Sequence, residues 1–199
     1  MKTELSLTDL AHELQRRSNA KKDFVAHTSQ LHMTDDNKIQ FENGKLHEFE
    51  ANEIAHNQIA GRLDIPVKYY KRMQENAPHL LAFNVNHWLH KNPETRMIRT
   101  LDGTARAFLS DRYQRIENEE IAETVLPVLL EQDGVEIESA AITESRMYIK
   151  AVFTKIEGEV KLGDVVQAGV AISNSEVGQG AVKVEPLVYR LICRNGMIV

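Results

Sequence analysis

Five arginines fall between Arg96 and Arg115, and only Asp102 and Asp111 oppose them in that stretch. Phe108 and Tyr113 are interleaved with them. A guanidinium is a rigid fork that pairs with phosphate, and an aromatic face stacks on a base. Arg99, Arg106, Phe108, Arg112, Tyr113 and Arg115 are therefore candidate contacts to single-stranded nucleic acid. Asp102-Gly103, set between two alternating segments, suits a two-residue hairpin turn in which both central residues take positive φ. With Leu101 facing Thr104, that register puts Arg99 opposite Arg106 and Met97 opposite Phe108. Two like charges facing each other across strands cost up to about 1 kcal/mol unless an anion lies between them. The alternative is structural: Glu117, Glu119, Glu120 and Glu176 offer carboxylates that could pair these arginines within the fold.

A second polar group is Asn174-Ser175-Glu176, followed by Gly178 and Gly180. With Arg190 on the next strand it could orient a ligand or a metal-bound water, or it could be a turn in which Asn and Ser satisfy backbone groups while the glycines take positive φ. An Arg190–Glu176 bridge would make the pair structural. His87 and His90 share a helical face, yet zinc needs a third ligand and none is evident, so no metal and no cofactor is assigned. Cys193 alternates with Tyr189 and Leu191, the pattern of a small, buried, inert core residue. There is no Walker loop, GxGxxG, GxSxG or HExxH. Glu176 with Asp164 or Asp111 lacks the spacing of a hydrolytic pair, so no catalytic residue is named.

The elements that must position these groups follow from periodicity and punctuation. Ser6 and Asp9 suit a capping box ahead of Leu7, Leu10, Ala11 and Leu14, which predicts a helix to Asn19. Asn43-Gly44 predicts a tight type I′ hairpin between Ile39-Phe41 and Leu46. Asn52 caps a helix through Arg62, Pro66 opens another through Met73, and Leu80 to His90 is a third. Glu119 to Glu131 is helical despite Pro127, which is expected to kink or shorten it. Val135 to Ala141, Arg146 to Thr154, Val165 to Ser173 and Ala181 to Cys193 read as strands with short, hence antiparallel, connections. The expected fold is α+β: a helix-rich N-terminal half packed on a mostly antiparallel C-terminal sheet. It forms one domain over 1–199, with a peripheral helix in 1–22, a hairpin and helices in 23–95, and a sheet-rich part in 96–199.

Composition narrows the classes. The chain has 199 residues, 42% hydrophobic and 27% charged, with a net charge of −5, so any attraction to polyanions must be local. No apolar run approaches the roughly 18 residues of a membrane span, and Lys2, Glu4 and Asp9 interrupt any signal-like start. One cysteine forms no internal disulfide, so the expected compartment is the cytoplasm, with no membrane partner. The apolar end Met197-Ile198-Val199, straight after Asn195-Gly196, points to a chain that continues in a longer protein.

Several runs carry a family resemblance. Arg106-Ala107-Phe108-Leu109-Ser110-Asp111-Arg112-Tyr113, Gly163 to Gly169, Ser173-Asn174-Ser175-Glu176-Val177-Gly178 and Tyr189 to Gly196 resemble the "domain of unknown function 932" family, as does Ile65-Pro66 to Tyr70. The resemblance extends over most of the chain after about Asp23. It implies a phage or plasmid origin in a bacterial cell, often a longer polypeptide, and no established activity. With the arginine strip it gives the expected function: a non-enzymatic mobile-element protein that binds nucleic acid, single-stranded DNA above all. The alternative is a protein-binding module that inhibits or redirects a host factor, and self-association into a homo-oligomer is compatible with either.

Overall fold

The structure, a computed structural model, describes residues 5–159 and 165–190. The chain is α+β. In order its elements are α1 (Leu7–Ala20), β1 (Lys22–His27), a 3-10 turn (Thr28–Gln30), β2 (Leu31–Met33), β3 (Ile39–Glu42) and β4 (Leu46–Phe49). There follow α2 (Glu53–Arg62), α3 (Val67–Asn76), α4 (Pro78–Lys91), β5 (Thr95–Leu101) and β6 (Thr104–Ser110). The chain then runs through α5 (Asn118–Leu130), β7 (Val135–Ile142), β8 (Met147–Glu159), β9 (Val165–Asn174) and β10 (Lys183–Arg190). It divides into two compact units, one of residues 16–115 and one of residues 1–15 with 116–199.

The 16–115 unit holds two small antiparallel sheets, β1-β5-β6 and β2-β3-β4, with α2, α3 and α4. Leu31, Phe41, Tyr70, Leu81 and Ile98 are among its fully buried residues and form one contiguous core. Asn52 caps α2 as expected, its Oδ1 accepting the Ala55 N–H at 3.0 Å. The β3–β4 turn differs from expectation: Glu42 pairs with Leu46, so three residues form the loop, and of Asn43 and Gly44 only Gly44 has positive φ. β1 and β2 are unexpected strands; Asp35-Asp36-Asn37, just after β2, is a turn signal, and Asn37 has positive φ. β1 pairs with β5, so the 96–110 hairpin completes a sheet with residues 22–27 and does not join the C-terminal one.

The other unit holds the expected antiparallel sheet, in the order β10-β9-β8-β7. Leu10 and Leu14 of α1 and Ala122 and Leu129 of α5 bury against Ile149 and Ile172. Ser6 does start α1, its Oγ accepting the Asp9 N–H at 3.1 Å. Helix α5 continues through Pro127 to Leu130. Gly169 in β9 allows a close approach: a Cβ there would lie 2.6 Å from the Ala151 carbonyl oxygen.

Candidate functional site

The Asp102-Gly103 turn forms as read, with φ of 51° and 79° and Leu101 facing Thr104. The register beyond it does not. Thr100 pairs with Ala105, but Arg99 pairs with Ala107, Ile98 with Phe108 and Met97 with Leu109. Arg106 is the extra residue of a β-bulge, so the expected Arg99–Arg106 opposition is replaced by Arg99 beside a small alanine. A bulge inserts one residue into one strand and shifts every later pairing, which removes the like-charge contact from the ladder.

Burial separates the strip further. The Arg99 side chain is 1% exposed, and its Nε donates to Asp23 Oδ1 at 2.9 Å. Arg106 and Phe108 are also buried, and the Phe108 N–H donates to Gln58 Oε1 at 2.7 Å. Arg112 and Arg115 are exposed and Tyr113 is half-buried, all in the segment after β6. Arg115 Nη1 donates to the second oxygen of Asp23 at 2.9 Å. Burial alone would raise the Asp23 pKa, but hydrogen bonds from Arg99 and Arg115 outweigh it and hold the carboxyl below its ordinary value.

Asn174, Ser175 and Glu176 are all buried, and their hydrogen bonds tie the β9–β10 loop to the start of α5. Asn174 Nδ2 donates to the Ile116 carbonyl at 2.8 Å and to Asn118 Oδ1 at 2.9 Å. Glu176 Oε1 accepts the Asn118 N–H at 2.8 Å, and Ser175 Oγ accepts the Gln179 N–H at 3.0 Å. Gly178 and Gly180 take positive φ, as the turn reading requires. Carboxylate oxygens of Glu117, Glu119 and Glu176 lie within 4.8 Å of one another and are the one group among the described residues spaced to hold a cation. Glu117 forms a capping box with Glu120, so two of these three carboxylates already serve N–H groups at the α5 N-terminus. Arg190 lies exposed at the end of β10, paired with Val166. His90 Nε2 is hydrogen-bonded to the Leu31 carbonyl at 2.8 Å. Cys193 and Asp164 lie outside the described residues.

The feature that sequence reading missed lies between α2, α3 and α4. An open groove of about 490 Å³ is walled on one side by Arg62, Pro66 and Tyr69 and on the other by Asn84, Trp88 and Asn92. Helix α3 buries Tyr70 and Met73, which turns Lys68, Tyr69 and Arg72 outward. Helix α4 buries Leu81, Val85 and Leu89, which places Asn84 and Trp88 on the groove side. Tyr69 and Trp88 are 46% and 38% exposed, a large uncovered aromatic area. Asn84 Nδ2 donates to the Leu80 carbonyl and to Met73 Sδ, which leaves its carbonyl oxygen as an acceptor. Arg62 forks onto Glu94, which also accepts from Arg96 Nε at 2.8 Å. Burial pushes the Glu94 pKa up, yet these arginine bonds win and hold it down. The Lys91 ammonium sits 4.9 Å from the centre of the Trp88 ring.

Charge is distributed unevenly. Residues 16–115 contain 16 Lys and Arg against 12 Asp and Glu, a net +4, while the remainder of the chain contains 8 against 17, a net −9. The groove belongs to the cationic unit.

Residues 106–199 match the family model of DUF932, a domain of unknown function. The likeness seen in the sequence is thus matched from Arg106 onward, across the Asn174-Ser175-Glu176 loop. The DUF932 match begins inside β6, so Arg62, Tyr69 and Trp88 lie outside it. No curated protein and no solved structure matches the chain. Among the described residues, no helix is long and apolar enough to cross a membrane.

Proposed function

We propose that this protein binds single-stranded nucleic acid, single-stranded DNA in the first place, through the groove of the 16–115 unit. The observation that carries the reading is the pair Tyr69 and Trp88, uncovered on facing walls of one groove in the cationic unit. A base stacked on an aromatic face contributes about 1–3 kcal/mol, whatever its sequence. Asn84 and Asn92 supply amides for base edges; Lys68 and Arg72 are exposed on α3 beside Tyr69 in sequence, and the Lys91 ammonium lies 4.9 Å from the Trp88 ring, which offers cations to a phosphate backbone. Arg112 is an accessory cation in the same unit. Arg99, Arg106 and Phe108, being buried, support the fold of that unit and not the contact.

Titration of labelled oligo(dT) at several salt concentrations tests this. Affinity should fall with salt by about 0.7 log unit per log unit of salt for each phosphate contacted. Tyr69→Ala with Trp88→Ala should abolish most of the binding. Absence of binding at low salt, or binding that the double variant retains, overturns the reading. The exposed Leu80 and Phe83 on α4 favour a second reading, an apolar host-protein partner. In that case the chain would capture a protein by salt-insensitive contacts and ignore the oligonucleotide.

A further inference from the structure

We propose that Asp64 makes the groove selective for guanine, its carboxylate accepting the N1–H and 2-amino protons of a base stacked on the aromatic walls. The inference rests on the nucleic-acid reading and adds a base preference to it, since stacking alone is indifferent to sequence.

Asp64 stands where the fold does not ask for an aspartate. Helix α2 closes in a Schellman turn: the Ile65 N–H donates to the Ala60 carbonyl at 2.9 Å and the Asp64 N–H to the Gly61 carbonyl at 3.4 Å. Asp64 takes φ of 54° there, the left-handed region in which glycine is at ease and a side chain costs energy. A carboxylate just beyond a helix C-terminus also meets the negative end of the helix dipole. Among the described residues no donor hydrogen-bonds to this carboxylate. The nearby Arg62, held above its ordinary pKa first by its hydrogen bond to Glu94 and more weakly by Asp64, gives Nε and Nη2 to Glu94. A side chain that opposes both backbone and dipole, with its oxygens open to a groove, fits ligand contact better than it fits stability.

The lining decides which base. Its charged residues are Arg62, Asp64 and Glu94, a net −1 within the cationic unit, so this part of the groove suits a hydrogen-bond donor edge and not a phosphate. Phosphates are left to the exposed Lys68, Arg72 and Lys91. Guanine presents two adjacent donors, N1–H and the 2-amino group, in the parallel arrangement that a carboxylate fork accepts. Adenine and cytosine set a ring-nitrogen lone pair beside their amino group, and thymine flanks its one N–H with two carbonyls. Each of these turns a lone pair toward Asp64. The guanine O6 can be served by Arg62 Nη1, the arm that Glu94 does not use.

Titration of labelled d(TG)6, d(TI)6 and (dT)12 in lithium chloride, which does not promote guanine quadruplexes, tests this. The hypoxanthine of d(TI)6 differs from guanine only in lacking the 2-amino group. The parent protein should bind d(TG)6 at least about fivefold tighter than (dT)12, and d(TI)6 should lose most of that advantage. Asp64→Gly suits the left-handed turn, so its melting temperature should hold or rise while its affinities for d(TG)6 and (dT)12 come within about twofold of each other. Asp64→Asn, which the turn also tolerates, repeats the measurement and should shrink the preference, because one acceptor oxygen becomes a donor. The d(TI)6 comparison needs no variant. Equal affinity for all three, a preference that d(TI)6 shares in full, or one that survives Asp64→Gly overturns the guanine assignment, and the oligonucleotide binding itself keeps the broader reading in place. Binding of none of the three overturns both.

Discussion

Asp23 and Arg99 are cross-strand partners in the β1–β5 ladder, joined by a 2.9 Å hydrogen bond with the arginine side chain almost fully buried. Removing one partner of such a pair leaves an uncompensated buried charge, which typically costs about 3–5 kcal/mol. Asp23→Ala should lower the free energy of unfolding, read from urea titration, by that amount. Arg99→Met with Asp23→Leu should recover most of the loss, because an apolar pair of similar volume replaces both charges. A single variant as stable as the parent would refute the ion pair as a structural element.

The same carboxylate sets an acid limit. Its folded pKa lies below its unfolded value, so its contribution is complete above the unfolded value of about 4 and is lost as pH falls through the folded one. Thermal melts between pH 5 and 2 should show a fall in stability that Asp23→Asn flattens.

On the proposed interface, Lys68→Glu and Arg72→Glu should weaken oligo(dT) binding and lower the salt slope by about 0.7 for each phosphate that is no longer touched. Both side chains are exposed, so melting temperature should change little. Weakened binding with an unchanged slope would mean that these cations touch no phosphate.

Glu176 and Asn118 test the α5 anchor. Glu176→Ala leaves the Asn118 N–H buried and without its acceptor, at a cost of about 1–3 kcal/mol, whereas Glu176→Gln keeps an acceptor oxygen and should cost less. Chemical denaturation of the two variants separates a cap from a charge requirement. Equal losses would show that the charge itself is needed.

Gly169→Ala should destabilise by about 1–3 kcal/mol through overpacking, because the new Cβ meets the backbone oxygen of Ala151 and not a movable side chain. Calorimetry of the variant checks this, and an unchanged melting temperature would show that β8 and β9 can separate at that point.

Local signals were legible. Asp102-Gly103 dictates its turn, Asn52 its cap and Ser6 the start of α1, because each acts on backbone groups within a few residues. The bulge at Arg106 was not legible, since an inserted residue leaves the alternation of types intact while shifting the partner strand. Pairing of β1 with β5 joins residues more than 70 positions apart at its turn-distal pairs and leaves no nearby mark. The groove was hidden for a related reason: Tyr69 and Trp88 sit on different helices, where an aromatic residue at apolar spacing reads as core. The uneven charge was present in the sequence but became visible only once the boundary near residue 115 was known.

The placement of one unit in sequence on either side of the other has a consequence for synthesis. Residues 16–115 are contiguous and can fold as soon as they leave the ribosome, but α1 packs Leu10 and Leu14 on Ile149 and Ile172, which are made more than 130 residues later. At about 5–20 residues per second α1 waits on the order of ten seconds with its apolar stripe uncovered. A helix made early is thus among the last to be buried.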